Sequence, residues 1–330
     1  MERGNLYVTE HGIVIGCSRE RLVLSRGRET LLEVPCRRVG ELVIMANASV
    51  TPQAIRLLLD SGAGVAYLSS GGTYRGRLES ELSGNGNLRR KQTLTFSDPA
   101  ISLQLAICGV TAKIGNALML ILRRKDAIPG EIVTALKALL AGARKSKSLH
   151  ELRGIEGNAA RLHFRALSLL LSYDLGFKGR TSRPPEDPIN AMLSLGYTLL
   201  YNRMRSSISI VGLDPFQGYY HACEHGHASL ASDLIEPFRA IIVDSLVISA
   251  VNSKAVLRKD FVNTSRGPRL SEEALEKFVG SFDRRMSTIV TYAGRNERVS
   301  YARCLEYQAR DLAAFIMGKS KTFIPFALRG

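Results

Sequence analysis

With 330 residues, 45% hydrophobic and 23% charged, the chain has core material for two domains and excludes a disordered or fibrous protein. Lys plus Arg outnumber Asp plus Glu by 45 to 30, a net charge of +15, which favours nucleic acid first and an acidic membrane surface second. The bland alternative is a charge that only aids solubility, and nucleic acid is the favoured reading. Cys17, Cys36, Cys108, Cys223 and Cys304 are scattered with no CxxC pair, which excludes a zinc ribbon or redox motif and fits reduced thiols in a cytoplasmic protein.

The N-terminal MERGNLYVTEHG lacks the apolar segment of a signal peptide, and no run of about 18 uncharged apolar residues suggests a membrane span. The first eighty or so residues read as strands. NLYVTEHGIVIGCSRERLVLSRG mixes β-branched residues with turn signals at Gly12, Gly16 and Gly27, and LLEVPCRRVGELVIMA continues the pattern. Thr51 and Pro52 make an N-cap and N1 pair for a short helix ending at Gly62, and VAYLS followed by TYRGRL reads as a closing hairpin. SGNGNLRRKQ is polar, basic and Gly/Asn-rich, which is linker composition.

Beyond it the apolar spacing turns helical almost to the end. The segments are ISLQLAICGVTAKIGNALMLILRRK, PGEIVTALKALLAGARK, SLHELRGIEGNAARLHFRALSLLL, PPEDPINAMLSLGYTLLYNRM, LASDLIEPFRAIIVDSLVISAVN, SEEALEKFVGSFDRRM and YARCLEYQARDLAAFIMG. The expected architecture is α+β and multidomain. A β-rich domain spans residues 1–82, a linker 83–93, and a larger all-α domain 94–330.

YHACEHGHASLASDLIEPFR, residues 220–239, concentrates ionisable groups. A helix starting near Ala228 sets Asp233 and Glu236 on one face, and His221 lies in the loop leading to it. A loop folded back would bring the imidazole beside those carboxylates, a mixed N and O set suited to Mn²⁺ or Mg²⁺. A third ligand would come from elsewhere, and Glu156 in RGIEGNAARLHF is the candidate, beside an apolar stripe of Ile155, Ala159, Leu162, Ala166 and Leu169. Spacing alone leaves the bland reading open: acids in a first helical turn often only complement the dipole. His225 and His227 read as surface groups, and His163 as a core or interface histidine. Tyr197 is a candidate support for the site, whereas helix packing suffices for Tyr201. Asn190 and Ser194 share their motif.

GLDPFQGYYHACEHGHASLASDLIEPFR resembles the signature of the integrase family of CRISPR adaptation, the first of the CRISPR-associated proteins ("Cas-one"). GVAYLSSGGTYRGRL, GIEGNAARLHF, RPPEDPINAMLSLGYTLLY, VLRKDFV and FIPF are similar to further family segments in the same order. The resemblance implies a divalent-metal DNA endonuclease and integrase that inserts short duplexes into a CRISPR array; the rival readings are a stand-alone metal-dependent nuclease on branched DNA and a non-catalytic basic scaffold. It implies metal ligands at Glu156, His221 and Glu236, with Asp233 as the neighbouring catalytic acid. It also implies Mn²⁺ or Mg²⁺ as cofactor, double-stranded DNA as substrate, a homodimer joined through the β domain, and a complex with the smaller partner "Cas-two". His227 stands where the family usually has Arg or Lys, which implies a weaker or pH-dependent phosphate contact there. Arg89, Arg90 and Lys91, Arg123, Arg124 and Lys125, Arg144, Lys145 and Lys147, Lys254, Arg258 and Lys259, and Arg284 and Arg285 are candidates for tracking phosphates.

Overall fold

The computed structural model describes residues 3–69, 71–80, 85–123, 127–181 and 184–328. Two four-stranded sheets form the N-terminal part. One runs β4(Glu29–Pro35), β3(Arg21–Arg26), β2(Val14–Ser18), β6(Ser49–Val50). The other runs β1(Gly4–Val8), β5(Val39–Ile44), β7(Gly64–Leu68), β8(Tyr74–Leu78). β5 pairs in parallel with β1 and β7, and β8 returns antiparallel on β7 as the hairpin expected from its sequence. Between the sheets lies α1(Pro52–Asp60), capped by Thr51, whose hydroxyl accepts from the amide of Ala54. Ile15, Leu22, Leu42, Leu58 and Val65 fill this small core.

The second and larger core is helical. α2(Gly86–Ser97) begins inside the segment expected as a linker. Asn85 accepts from the amide of Leu88 and starts the helix despite the poor local propensity, so residues 86–93 are helix; residues 83 and 84 lie outside the described residues. α3(Pro99–Leu122) follows at once. It is long and apolar enough to cross a membrane, yet half of its apolar window is buried inside the protein. α4(Gly130–Ala143) and α5(Leu149–Leu170) pack against it. In α5, Ala159, Leu162 and Ala166 are buried as the stripe predicts, but Leu169 is 47% exposed and Leu170 takes the inward position.

α6(Pro188–Val211) joins the two parts. Its Ser206 hydroxyl and Arg77 of β8 both reach Glu41 Oε1, at 2.9 and 3.0 Å. Arg205 donates to the Tyr74 hydroxyl. At Gly196 a Cβ would lie 2.6 Å from Val243 Cγ1, so the absent side chain is what lets α6 close on the next element.

That element was expected as one long helix. It is three pieces: α7(Ser229–Phe238), a π-helical turn over residues 239–244, and α8(Ser245–Asn252). The wide turn follows Pro237, which has no amide to donate. The carbonyl of Pro237 instead accepts from Asn116 of α3 at 2.7 Å.

The C-terminal part is not all-α. β9(Phe261–Thr264) pairs with β10(Gly267–Leu270), and β11(Ile289–Tyr292) with β12(Glu297–Ser300), on either side of α9(Glu272–Met286). These strands are four residues each, too short to show a period among helices. α10(Tyr301–Ile316) completes the core.

Candidate active site

The α7 helix begins as the sequence predicts and sends Asp233 inward, where its side chain is fully buried. A buried carboxylate is tolerated only when its lone pairs are filled. Here the preceding loop fills them. Oδ2 accepts from the amides of Tyr219 (2.8 Å) and Tyr220 (3.1 Å), and Oδ1 from the amide of His221 (2.9 Å). His221 Nδ1 lies 2.6 Å from the same Oδ1. A carboxylate acceptor requires the proton on Nδ1, so Nε2 is the ring nitrogen turned to a ligand. Gly218 makes the fold-back possible: a Cβ there would sit 2.6 Å from Asp233 Oδ2 and 2.9 Å from the Ser229 carbonyl carbon.

Glu236, one turn further on, is also buried. Its Oε1 accepts from Arg239 Nη1 at 2.8 Å. Glu156 on α5 is half-buried, and its Oε2 accepts from the Tyr220 hydroxyl at 2.6 Å. Between the two glutamates stands the ammonium of Lys113 on α3, 2.6 Å from Glu156 Oε1 and 2.6 Å from Glu236 Oε2. The first contact is a hydrogen bond. The second is close but misdirected, so Glu236 Oε2 is buried without a hydrogen bond. Burial alone would raise the Glu236 pKa, but Arg239 and Lys113 outweigh it and pull it down to about 2. Burial works against the Lys113 charge too, and Glu236 with Glu156 more than restores it, so the pKa is raised.

The structure thus brings Glu156 and Glu236 to one cation and fixes His221 on Asp233. Among the described residues, no three of His, Cys, Asp and Glu converge closely enough as placed to hold a metal ion, and a lysine stands between the two acids. The donor chemistry still fits a hard divalent ion. Two carboxylate oxygens face inward, one of them lacking a hydrogen bond, and an imidazole of defined tautomer stands nearby.

Behind the centre runs a second polar chain that the sequence reading underused. Arg239 stacks over the Tyr197 ring at 4.0 Å, and the Tyr197 hydroxyl donates to Asp244. Asp244 Oδ2 lies 2.7 Å from His163 Nε2, so His163 is a buried core histidine. Lys113, Glu156, His163, Tyr197, Arg239 and Asp244 line a pocket of about 110 Å³. Asn190 and Ser194 accept from Arg180, whose guanidinium lies 5.5 Å over the Tyr197 ring and so extends this chain.

His227 is half-buried. Its ring stacks on Tyr201 at 5.9 Å and its Nε2 lies 3.0 Å from the Ser232 hydroxyl, whereas His225 is exposed. The Tyr201 hydroxyl accepts from the amide of Ala228.

Burial alone would lower the His221 pKa, but the hydrogen bond and charge of Asp233, with Glu236 and Glu156 beyond, win and raise it above the ordinary 6.5. The imidazolium pair therefore stabilises the metal-free fold below pH 6.5, and this contribution is lost as pH rises through the raised value. Thermal unfolding of wild type and His221→Ala without metal should show a Tm gap that narrows with rising pH. A gap independent of pH would remove the charged pair as its source.

Residues 6–284 match the family described as CRISPR associated protein Cas1. The chain is 38% identical over 328 residues to the CRISPR-associated endonuclease Cas1 3 of Thermus thermophilus, covering 99% of this chain and 98% of that protein. Among solved structures it is similar to a casposase bound to integration product. The TM-score is 0.86 at 26% identity, over 98% of this chain and 92% of that one. A Cas6-RT-Cas1–Cas2 complex contains a chain of the same fold, with TM-score 0.84 at 24% identity over 98% of this chain and 36% of that one.

Proposed function

The chain belongs to the CRISPR associated protein Cas1 family and is a DNA endonuclease/integrase of CRISPR adaptation, and we propose that it inserts short duplexes through a divalent-metal centre on Glu156, His221 and Glu236. The observation that carries this reading is the pair of inward carboxylate oxygens, Glu156 Oε1 and Glu236 Oε2, sharing one cation beside an imidazole whose Nδ1 is committed to Asp233. Glu156, His221 and Glu236 would hold the Mn²⁺ or Mg²⁺, which would supply Lewis acidity to a phosphodiester and lower the pKa of a 3′-hydroxyl.

The side chains do the rest. Tyr220 and Arg239 each hold one oxygen of a glutamate and so aim the other inward. Asp233 fixes the tautomer and direction of His221 and is the positioning acid. Arg239, bonded to Glu236 and stacked on Tyr197, keeps a fixed positive charge at the centre. Exposed Arg144, Lys145 and Lys147, Lys254, Arg258 and Lys259 attract the duplex backbone; Arg124 and Lys125 of the Arg123 cluster lie outside the described residues.

The homodimer is proposed through the β domain, where β4 is an edge strand with Leu31 and Leu32 each 43% exposed. A Cas2 partner is proposed on the family resemblance and on the assembly named for the similar complex.

The test is a plasmid assay with supercoiled DNA, a labelled short duplex bearing free 3′-hydroxyls, Mn²⁺ and Cas2. Label joined to plasmid is the expected result. Nicking without joining would replace integration by hydrolysis as this chain's reaction.

A further inference from the structure

We propose that Lys113 is an internal counter-ion seated between Glu156 and Glu236, and that a divalent ion must displace it to load the site. The inference rests on the metal-centre reading above and adds a residue that opposes the metal.

Four carboxylate oxygens are in play, and their partners differ in kind. Glu156 Oε2 is held by the Tyr220 hydroxyl and Glu236 Oε1 by Arg239, both from outside the pair. Glu156 Oε1 and Glu236 Oε2 both face Lys113 Nζ at 2.6 Å. The inward oxygens are the ones a metal would use, and one ammonium holds both. Its contact with Glu236 Oε2 is badly directed, so the lysine satisfies the charge of the pair better than its lone pairs. A single positive charge with an imperfect bond is the kind of occupant that a divalent ion of matching ligand preference replaces.

Lys113 is also the cation free to leave. Its charge sits on a flexible four-carbon stem, and the side chain is 23% exposed. Arg239 is pinned over Tyr197 at 4.0 Å and bonded to Glu236, so it stays. The pocket of about 110 Å³ that Lys113 lines gives the displaced ammonium room. His163 on the wall of that pocket keeps its Nε2 on Asp244, and its Nδ1 is buried without a hydrogen bond. Finally, Lys113 is the one charged residue between Pro99 and Leu122 of α3, a costly group in an apolar helix unless it has a task at this seat.

The test is calorimetric titration of wild type and Lys113→Met with MnCl₂ at fixed pH, beside thermal unfolding of each with and without the ion. Removing the competitor should tighten Mn²⁺ binding by at least about tenfold. Without metal, Lys113→Met should melt below wild type, since two acids are left facing each other, and saturating Mn²⁺ should close the gap. If Lys113→Met does not fold without metal, Lys113→Gln takes its place, keeping a neutral donor. Equal or weaker Mn²⁺ affinity in the variant, with wild type still binding, overturns the counter-ion and leaves the metal centre standing. No Mn²⁺ binding to either protein overturns both.

Discussion

His221→Ala is expected to lower strand transfer by on the order of 10³-fold while the fold survives. Loss of a group that merely orients a metal ligand costs about 10–100-fold, and loss of the ligand itself exceeds that. The structural cost is small for a specific reason. The His221 side chain is 34% exposed, and its removal takes from Asp233 one donor of four, leaving the three backbone amides in place. A hydrogen bond to a charged group is worth about 1.5–3 kcal/mol, toward the low end for one this exposed. Strand-transfer rates with circular-dichroism melts on the same preparations check both halves. A wild-type rate with alanine at 221 would remove this imidazole from the centre.

Asp233→Asn should fail in the opposite proportion, losing stability as well as activity. The side chain is fully buried, and both oxygens accept: two amides on Oδ2, one amide and the ring Nδ1 on Oδ1. An asparagine amide turned either way presents N–H to N–H. It leaves buried donors unpaired at about 1–3 kcal/mol each. The expected loss is about 3–5 kcal/mol, or about 5 °C in Tm for a chain of this length. His221 then loses the acceptor that sets its tautomer, so strand transfer falls too, by about 10–100-fold in the metal-saturated protein. Unchanged melting with reduced activity would confine Asp233 to the chemistry and deny it the role of anchoring the loop.

The difference between these two residues follows from what a sequence carries. Spacing suffices for Asp233 and Glu236, since three residues apart on a helix is one face. It also suffices for the cap at Thr51, where the hydroxyl and the first amides are local. Local signals do not state which loop folds back onto a helix, and Tyr220 reached Glu156 across 64 positions. Lys113 was missed for the same reason, although one charge in 24 apolar and small polar residues of α3 was a signal in plain view. The segment 86–93 misled because Gly and Asn mark helix starts as well as linkers, and only the cap at Asn85 separates the cases. The paired hairpins at 261–270 and 289–300 misled because four-residue strands carry too few alternations to outvote the helices around them. The metal ligands rested on family resemblance, and the geometry adds the cation between them rather than their convergence.

The spread of the centre along the chain has a consequence in time. Lys113, Glu156 and Glu236 come from α3, α5 and α7, and Lys113 meets Glu156 across 43 positions. No pair of them is a local contact, so each must wait for long loops to close and for the apolar helix faces to dock. A half-made or half-folded chain therefore carries its acids far apart and its basic residues free. The proposed centre thus arrives last, with the finished core.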